Sequence, residues 1–281
     1  MQETIINNVW PLVEQLVGAT INEDGEAVAN LLAPNEQAAD MLELFGVAVF
    51  DILLKTVLGR GGVSVTQAIE TDNDAYPIQG VSHFIQIEYA WLTAEEGENQ
   101  ENQLTAVDAV SIKFMQVQNQ WKAVEINPSS IDLSLTNSRA RQILATVQIL
   151  SEDDKVPAEP WILPIALYGG MLQLPIEPAA LQDEVEKQLL AGLQKRGYGV
   201  TILVDARRLW REFRALDKLD LKSADAGIWA AAVEYVMSEL NQRNQTQSAI
   251  GKLYKVSLSD MGPCIKQIKK SSLFLSDKSG A

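Results

Sequence analysis

The chain has 281 residues and a formal net charge of −14, with 37 acidic side chains against 23 basic ones. Hydrophobic residues make up 47% and charged residues 21%, the balance of a globular chain long enough to bury two cores. A single cysteine, Cys264, and a single histidine, His83, exclude an intrachain disulfide, a thiolate zinc site and a histidine-pair metal site.

The acid is concentrated in one half. Residues 1–150 carry 20 acidic and 6 basic side chains, whereas residues 151–281 carry 17 of each. From Asn241 to Ala281, seven basic residues stand against two acidic ones. An acidic half joined to a basic tail suits a tail that meets an anion, a domain that masks that tail, or two independently solvated surfaces. MQETIINNVWPLVEQLVG has no basic n-region, and no stretch reaches the ~18 apolar residues of a membrane span. A cytoplasmic protein with no membrane partner is therefore the expectation.

Ile5, Val9, Leu12, Val13 and Leu16 recur at helical spacing and predict a first helix over residues 5–17, with Pro11 inside it. Asn22-Glu23-Asp24-Gly25 breaks the chain. Glu26 to Leu32 reads as a second helix ended by Pro34. Asn35 is the expected cap of a third, through Leu42 and Leu44, and the apolar run Val47 to Leu58 predicts a buried fourth. Gly59-Arg60-Gly61-Gly62 then reads as a turn, because it lacks the Lys-Ser/Thr of a phosphate loop.

Beyond it the period becomes two. Val63 to Ile69, His83 to Trp91, Leu104 to Val117 and Trp121 to Ile126 read as four strands, the last two joined by Gln118-Asn119-Gln120. Ile85, Ile87, Tyr89, Trp91, Val110, Ile112 and Phe114 are the candidate lining of an apolar ligand pocket. Asp108 shares their face where an apolar residue is expected. A hairpin closing about Glu98-Asn99 would set Tyr89 opposite Asp108 and His83 opposite Phe114. Asp108, bonded by Tyr89, is then the candidate catalytic residue, since an apolar setting raises a carboxyl pKa toward that of a general base. A solvated Asp108 at the rim and a structural His83 are the alternatives. Helices followed by a curved antiparallel sheet, with the phrase DGEAVANLLAP and a closing W-K-A-V-E-I strand, resemble the ketosteroid-isomerase-like, nuclear-transport-factor-like α+β cone. The resemblance covers residues 5–127 in pattern and carries over no catalytic residue.

Residues 131–177 read as a connecting and docking segment. Thr136-Asn137-Ser138 caps an expected helix from Arg139 to Leu150, and the apolar stretch around Trp161 to Leu172 is too hydrophobic for a free linker. Pro178 to Lys195 reads as a helix ended by Gly197-Tyr198-Gly199. Thr201 or Asp205 would cap the next, with Leu209, Trp210, Phe213 and Leu216 inside and Arg207, Arg208, Arg211, Arg214 and Lys218 outside. That arginine stripe suits a phosphate backbone, or a solvated face with i,i+4 partners at Asp205, Glu212, Asp217 and Asp220.

The most informative stretch is Gly227 to Ile268. An apolar-faced helix carrying Trp229, Val233, Val236, Met237 and Leu240 precedes a short helix capped by Thr246, a turn, and another helix. Ile250, Leu253, Val256, Ile265 and Ile268 are the expected small core. Trp229-Ala230-Ala231-Ala232, Tyr235, Thr246-Gln247, Ile250, Val256 and Ser257 resemble the helix-turn-helix of the second cyclin-like repeat of transcription factor IIB and similar bacterial domains. The resemblance implies a nucleic-acid surface at Gln247, Lys252, Lys255, Ser257, Ser259, Lys266, Lys269 and Lys270. The sequence departs from the pattern where DNA would be read: the second helix, expected to start near Ser259, presents Asp260, Gly262 and Pro263, and Lys255 stands where glycine is common.

The fold expected is therefore α+β, with helices and a curved sheet over residues 1–130. An all-α domain with the helix-turn-helix follows over 178–272, and a tail over 273–281. The leading function is a non-enzymatic regulatory protein that binds a small apolar ligand or a protein partner. DNA-binding regulation and an isomerase or hydrolase at Asp108 are the alternatives. No metal and no cofactor are expected, and a homodimer through the sheet is a further expectation.

Overall fold

The two periodicities resolve into an α+β architecture in a computed structural model that describes residues 2–55, 63–72, 83–92, 109–128, 141–149, 167–217, 225–243 and 245–271. Residues 1–166 and 167–281 are separate compact units.

In the first unit α1 spans Gln2–Ile21 and runs through Pro11, burying Val9, Val13 and Leu16. Thr20 donates its hydroxyl to the Leu16 carbonyl (2.8 Å). Asp24 caps α2 (Gly25–Leu31) by accepting from the Ala27 amide at 3.0 Å. Helix α3 (Gln37–Phe45) differs from expectation at its start. Asn35 is no cap but adopts φ +64°, a turn conformation asparagine tolerates, and Glu36 holds the cap position without a side-chain bond. The apolar run after it begins as α4 (Ala48–Phe50) and widens into a π-helical turn over Asp51–Lys55, burying Val49, Phe50, Leu53 and Leu54.

The sheet comprises β1 (Val63–Asp72), β2 (His83–Leu92), β3 (Ala109–Val117), β4 (Gln120–Pro128) and β5 (Arg141–Ile149). Their order is β4-β3-β2-β1-β5, and the pairings are antiparallel. Strand β5 corrects the helix expected over Arg139 to Leu150. Ile143, Ala145, Val147 and Ile149 alternate with neighbours such as Gln142, Thr146 and Gln148, a period of two that the free edge of β1 can use. Gln118 and Asn119 both take positive φ (51° and 64°), giving a two-residue turn between β3 and β4 that matches the strands' own twist.

Both faces of β3 are covered. Ile112 and Phe114 are buried, and so are Lys113 and Met115. Lys113 meets its cross-strand neighbour Glu125 at 3.0 Å, and Met115 packs with Ala33 and Val124. The outer edge of β4 is occupied by the same chain. The Ala33 amide donates to the Ala123 carbonyl (2.8 Å), Gln37 accepts from the Ile126 amide (3.2 Å), and Lys122 donates to the Asn30 carbonyl in the last turn of α2.

In the second unit, a 3₁₀ turn at Pro178–Ala180 precedes α5 (Glu184–Lys195), so the single helix expected from Pro178 is divided. Asp183 is the reason: its carboxylate caps α5 through the Glu186 amide (2.9 Å). Helix α6 (Val200–Asp217) starts before either cap expected for it. Its arginines differ from expectation too. Arg207 is 1% exposed, and Arg211 and Arg214 reach across to α5. Arg211 binds Glu186 (2.8 and 3.2 Å) and the Ala180 carbonyl (2.8 Å). Arg214 binds Asp183 (2.5 Å), which also accepts from Trp210 Nε1 (3.0 Å). Two carboxylates at the positive end of α5 thus hold α6 in register. Leu216, expected inside, is 59% exposed.

Helix α7 (Ala226–Leu240) is the centre of this unit and packs against α5 and α6. It also packs against α8 (Gln247–Tyr254) and α9 (Leu258–Ser271). Trp229 closes an aromatic cluster with Trp210 and Phe213, centroids 5.8 and 5.1 Å away. The incoming segment after Leu167 lies directly on the α5–α6 loop. A Cβ at Gly199 would fall 1.8 Å from the Tyr168 carbonyl oxygen, and one at Gly170, where φ is +79°, 2.2 Å from that of Gly197.

Gly199→Ala should therefore cost at least ~3 kcal/mol in the unfolding transition of the second unit, because backbone on both sides must move. Trp229→Ala should cost roughly 3–5 kcal/mol in the same transition. Urea melts followed by far-UV circular dichroism measure both; a loss below ~1 kcal/mol for Trp229→Ala would contradict the packing.

Candidate nucleic-acid and partner interface

Thr246 starts α8 by accepting from the Ala249 amide at 3.2 Å, so the cap expected from the sequence is present. The helix ends in a Schellman motif. The Val256 amide donates to the Gly251 carbonyl (2.9 Å), and the Lys255 amide donates to that of Lys252 (3.3 Å). The geometry needs a left-handed residue, and Lys255 supplies it at φ 57°, ψ 39°. A non-glycine residue there costs ~1–2 kcal/mol, so an exposed lysine is held at the point of the turn against a local preference.

Helix α9 begins at Leu258, one residue earlier than expected, because Ser257 caps it. Ser257 Oγ accepts from the Asp260 amide (3.2 Å), donates to Asp260 Oδ2 (2.6 Å) and lies 2.7 Å from Ser259 Oγ. Two of the residues expected to meet nucleic acid are thus engaged in closing the helix. Met261, Ile265 and Ile268 face the core, and opposite them Ser259, Pro263, Lys266, Gln267 and Lys270 are exposed. Pro263 falls in the second helical turn, past the first turn where its missing N–H would be harmless. Lys269 is turned to α7, 2.5 Å from Glu239 and 5.5 Å from the Tyr235 ring centroid.

Lys252, Lys255, Lys266 and Lys270 are left as exposed cations, with Gln247 half-buried at the start of α8. Leu253 is exposed rather than in the core, and Leu258 is exposed beside the turn. Ile250, Ile265 and Ile268 occupy the core positions assigned to them, and Val256 is half-buried.

A polar network lies beneath this surface. Glu234 of α7 is fully buried and is bound by Arg196, at the end of α5, through both carboxylate oxygens. Tyr254 of α8 donates to Glu234 (2.6 Å) and accepts from Arg196 (2.9 Å). Burial pushes the Tyr254 pKa up to about 12, opposed by the Arg196 charge. Spacing could not reveal the network, because 20 and 38 residues separate Glu234 from its two partners.

In the first unit the register pairs Ile85 with Phe114, Ile87 with Ile112, and Tyr89 with Val110. The apolar positions therefore share cross-strand sites as expected, but two residues out of the expected register. Tyr89 is not opposite Asp108, nor His83 opposite Phe114; His83 pairs with Asp72 and Trp91 with Ser64. A register set by symmetry about any one point moves every partner by two when that point shifts by one residue, and residues 93–108 lie outside the described ones. Asp108 lies outside the described residues, as does Trp161. Among the described residues no group of acidic, histidine or cysteine side chains could hold a metal ion, and no helix is long and apolar enough to cross a membrane. No family model matches the chain, and neither a curated protein nor a solved structure matches it.

Cys264 sits half-buried on α9 near Asp225 and Asp260, and burial first, then those carboxylates, push its pKa up. A raised pKa leaves less thiolate at any given pH. Alkylation at pH 8 should therefore run slower in the folded chain than in the same chain in urea, and equal rates would contradict this setting.

Proposed function

We propose that the chain is a non-enzymatic regulatory protein that binds a protein partner through the helix-turn-helix surface of its second unit. The observation that carries this reading is the turn itself. Lys255 is kept in a left-handed conformation that glycine would fill at lower cost, and Leu253 and Leu258 are exposed close by in sequence. The start of α9 supports a protein over DNA. Its carboxylate, Asp260, would repel a phosphate, and the Ser257 and Ser259 hydroxyls are spent on the cap.

Duplex DNA is the second reading, favoured by the exposed Lys252, Lys255, Lys266 and Lys270. On this proposal the first unit takes a small apolar ligand on the sheet built around Ile112 and Phe114. A homodimer through the sheet fits at β5, since the outer edge of β4 already takes Ala33 and Gln37.

Fluorescence anisotropy of a labelled duplex with the full chain separates the two readings. The protein-partner reading expects no binding at ~50 mM salt; binding that falls steeply as salt rises would overturn it in favour of DNA. Lys255→Gly serves as the probe of the turn, because it should leave stability unchanged or raise it by ~1 kcal/mol. Any binding it removes is then lost from the surface and not from the fold.

A further inference from the structure

The four-residue loop Arg196-Gly197-Tyr198-Gly199 is in contact with three parts of the second unit. Towards the incoming chain, Gln173 donates to the Tyr198 carbonyl (3.3 Å) and to that of Gly170 (2.6 Å), and the Gly170 backbone lies against Gly197. Towards the α7–α8 connection, Arg243 donates to the Gly197 carbonyl (3.2 Å), with its guanidinium 4.0 Å above the Tyr198 ring. Towards α8, Arg196 binds Tyr254 and buried Glu234. A side chain at position 192 would collide with this last contact: a Cβ there would lie 2.6 Å from both Arg196 Nη2 and Tyr254 Oη.

We propose that this loop is a latch that couples the segment entering the second unit, Leu167 to Gln173, to the seating of the helix-turn-helix. The contacts on its two sides share one four-residue piece of backbone, so a shift of the segment moves Arg196 and the carbonyl that accepts from Arg243. Arg196 and Tyr254 satisfy a carboxylate that has no exposure to water, and loosening them leaves a buried charge under-bonded. The latch also holds a reserve. Among the described residues the fully buried Tyr198 hydroxyl has no hydrogen-bond partner. A rearranged loop can give that hydroxyl a partner, which supplies the second state that a coupled element needs. Whatever draws on residues 167–173 then alters how firmly α8 is held, and so how the surface around Lys255 is presented.

Hydrogen exchange on the full chain, read peptide by peptide, tests the coupling. Gln173→Ala removes the two side-chain bonds that tie the segment to the loop and takes no buried side chain with it. It should speed exchange of the amides from Ile250 to Tyr254 by about three- to tenfold while leaving α6 unchanged. Acceleration confined to residues 167–174, or a uniform rise that includes α6, would overturn the proposal. Combining Gln173→Ala with Tyr254→Phe should accelerate α8 by less than the product of the two single effects, because both act on one latch. If Tyr254→Phe unfolds the unit, Arg243→Gln takes its place in the cycle. A product of independent effects in that cycle would show that the segment and the helix are not coupled.

Discussion

Everything in the second unit depends on α7 being buried nearly all round. Ala226, Trp229, Ala230, Ala231, Ala232, Val233, Val236 and Met237 leave little of it in contact with solvent. The small alanines let neighbouring helices approach its axis, and Trp229 supplies the bulk against Trp210 and Phe213 of α6. A helix of this kind cannot be stable alone, so α5, α6, α8 and α9 exist to cover it. Glu234 is the exception on this helix. A charge with no exposure is tolerable only with a complete set of partners, and Arg196 and Tyr254 provide that set. Packing on α7 sets how close the helices come, and the Glu234 network fixes α5 and α8 laterally.

The pairing of α5 with α6 obeys a different logic. Asp183 and Glu186 sit in the first turn of α5, where the backbone already favours negative charge. Arg211 and Arg214 therefore meet carboxylates that are doubly held, by the helix end and by the guanidinium. This explains why arginines that look like an outward stripe turn inward. An i,i+4 partner in water would have offered them a few tenths of a kcal/mol. A charge-assisted bond across to a preorganised helix end offers more.

Much of this was legible in the residues, and the failures have physical causes. Thr246, the turn at Lys255 and the core positions Ile250, Ile265 and Ile268 follow from local chemistry, whereas the cap at Ser257 does not show in the pattern that marks it for nucleic acid. The four strands from Val63 to Ile126 follow from alternation. Strand β5 is ambiguous in sequence because Arg141 to Ile149 satisfies a helical period as well, and only the edge of β1 decides between them. The β2–β3 register differs by two residues from that of a hairpin symmetric about Glu98-Asn99, a difference that alternation alone does not resolve. The burial of Lys113 and Arg207 is not legible in the residues. Long side chains with a charge at the tip are assigned to water by default, and burial depends on partners remote in sequence.

The contrast between the two ends of the sheet has a consequence for how the chain reaches this state. Strands β3 and β4 meet through a two-residue turn, so their closure involves almost no loop and belongs to the microsecond events of folding. Strand β5 must find β1 across an intervening stretch that contains every other strand, from Asp72 to Arg141. Contacts of that separation form late, because loop entropy is lost before the pairing returns it. Until β5 arrives, the edge of β1 stands open along Val63 to Glu70, an alternating apolar ladder that any second copy in the same state could extend. The rate at which Arg141 to Ile149 docks, rather than the stability of the finished sheet, then sets the concentration at which the chain can be refolded without aggregating.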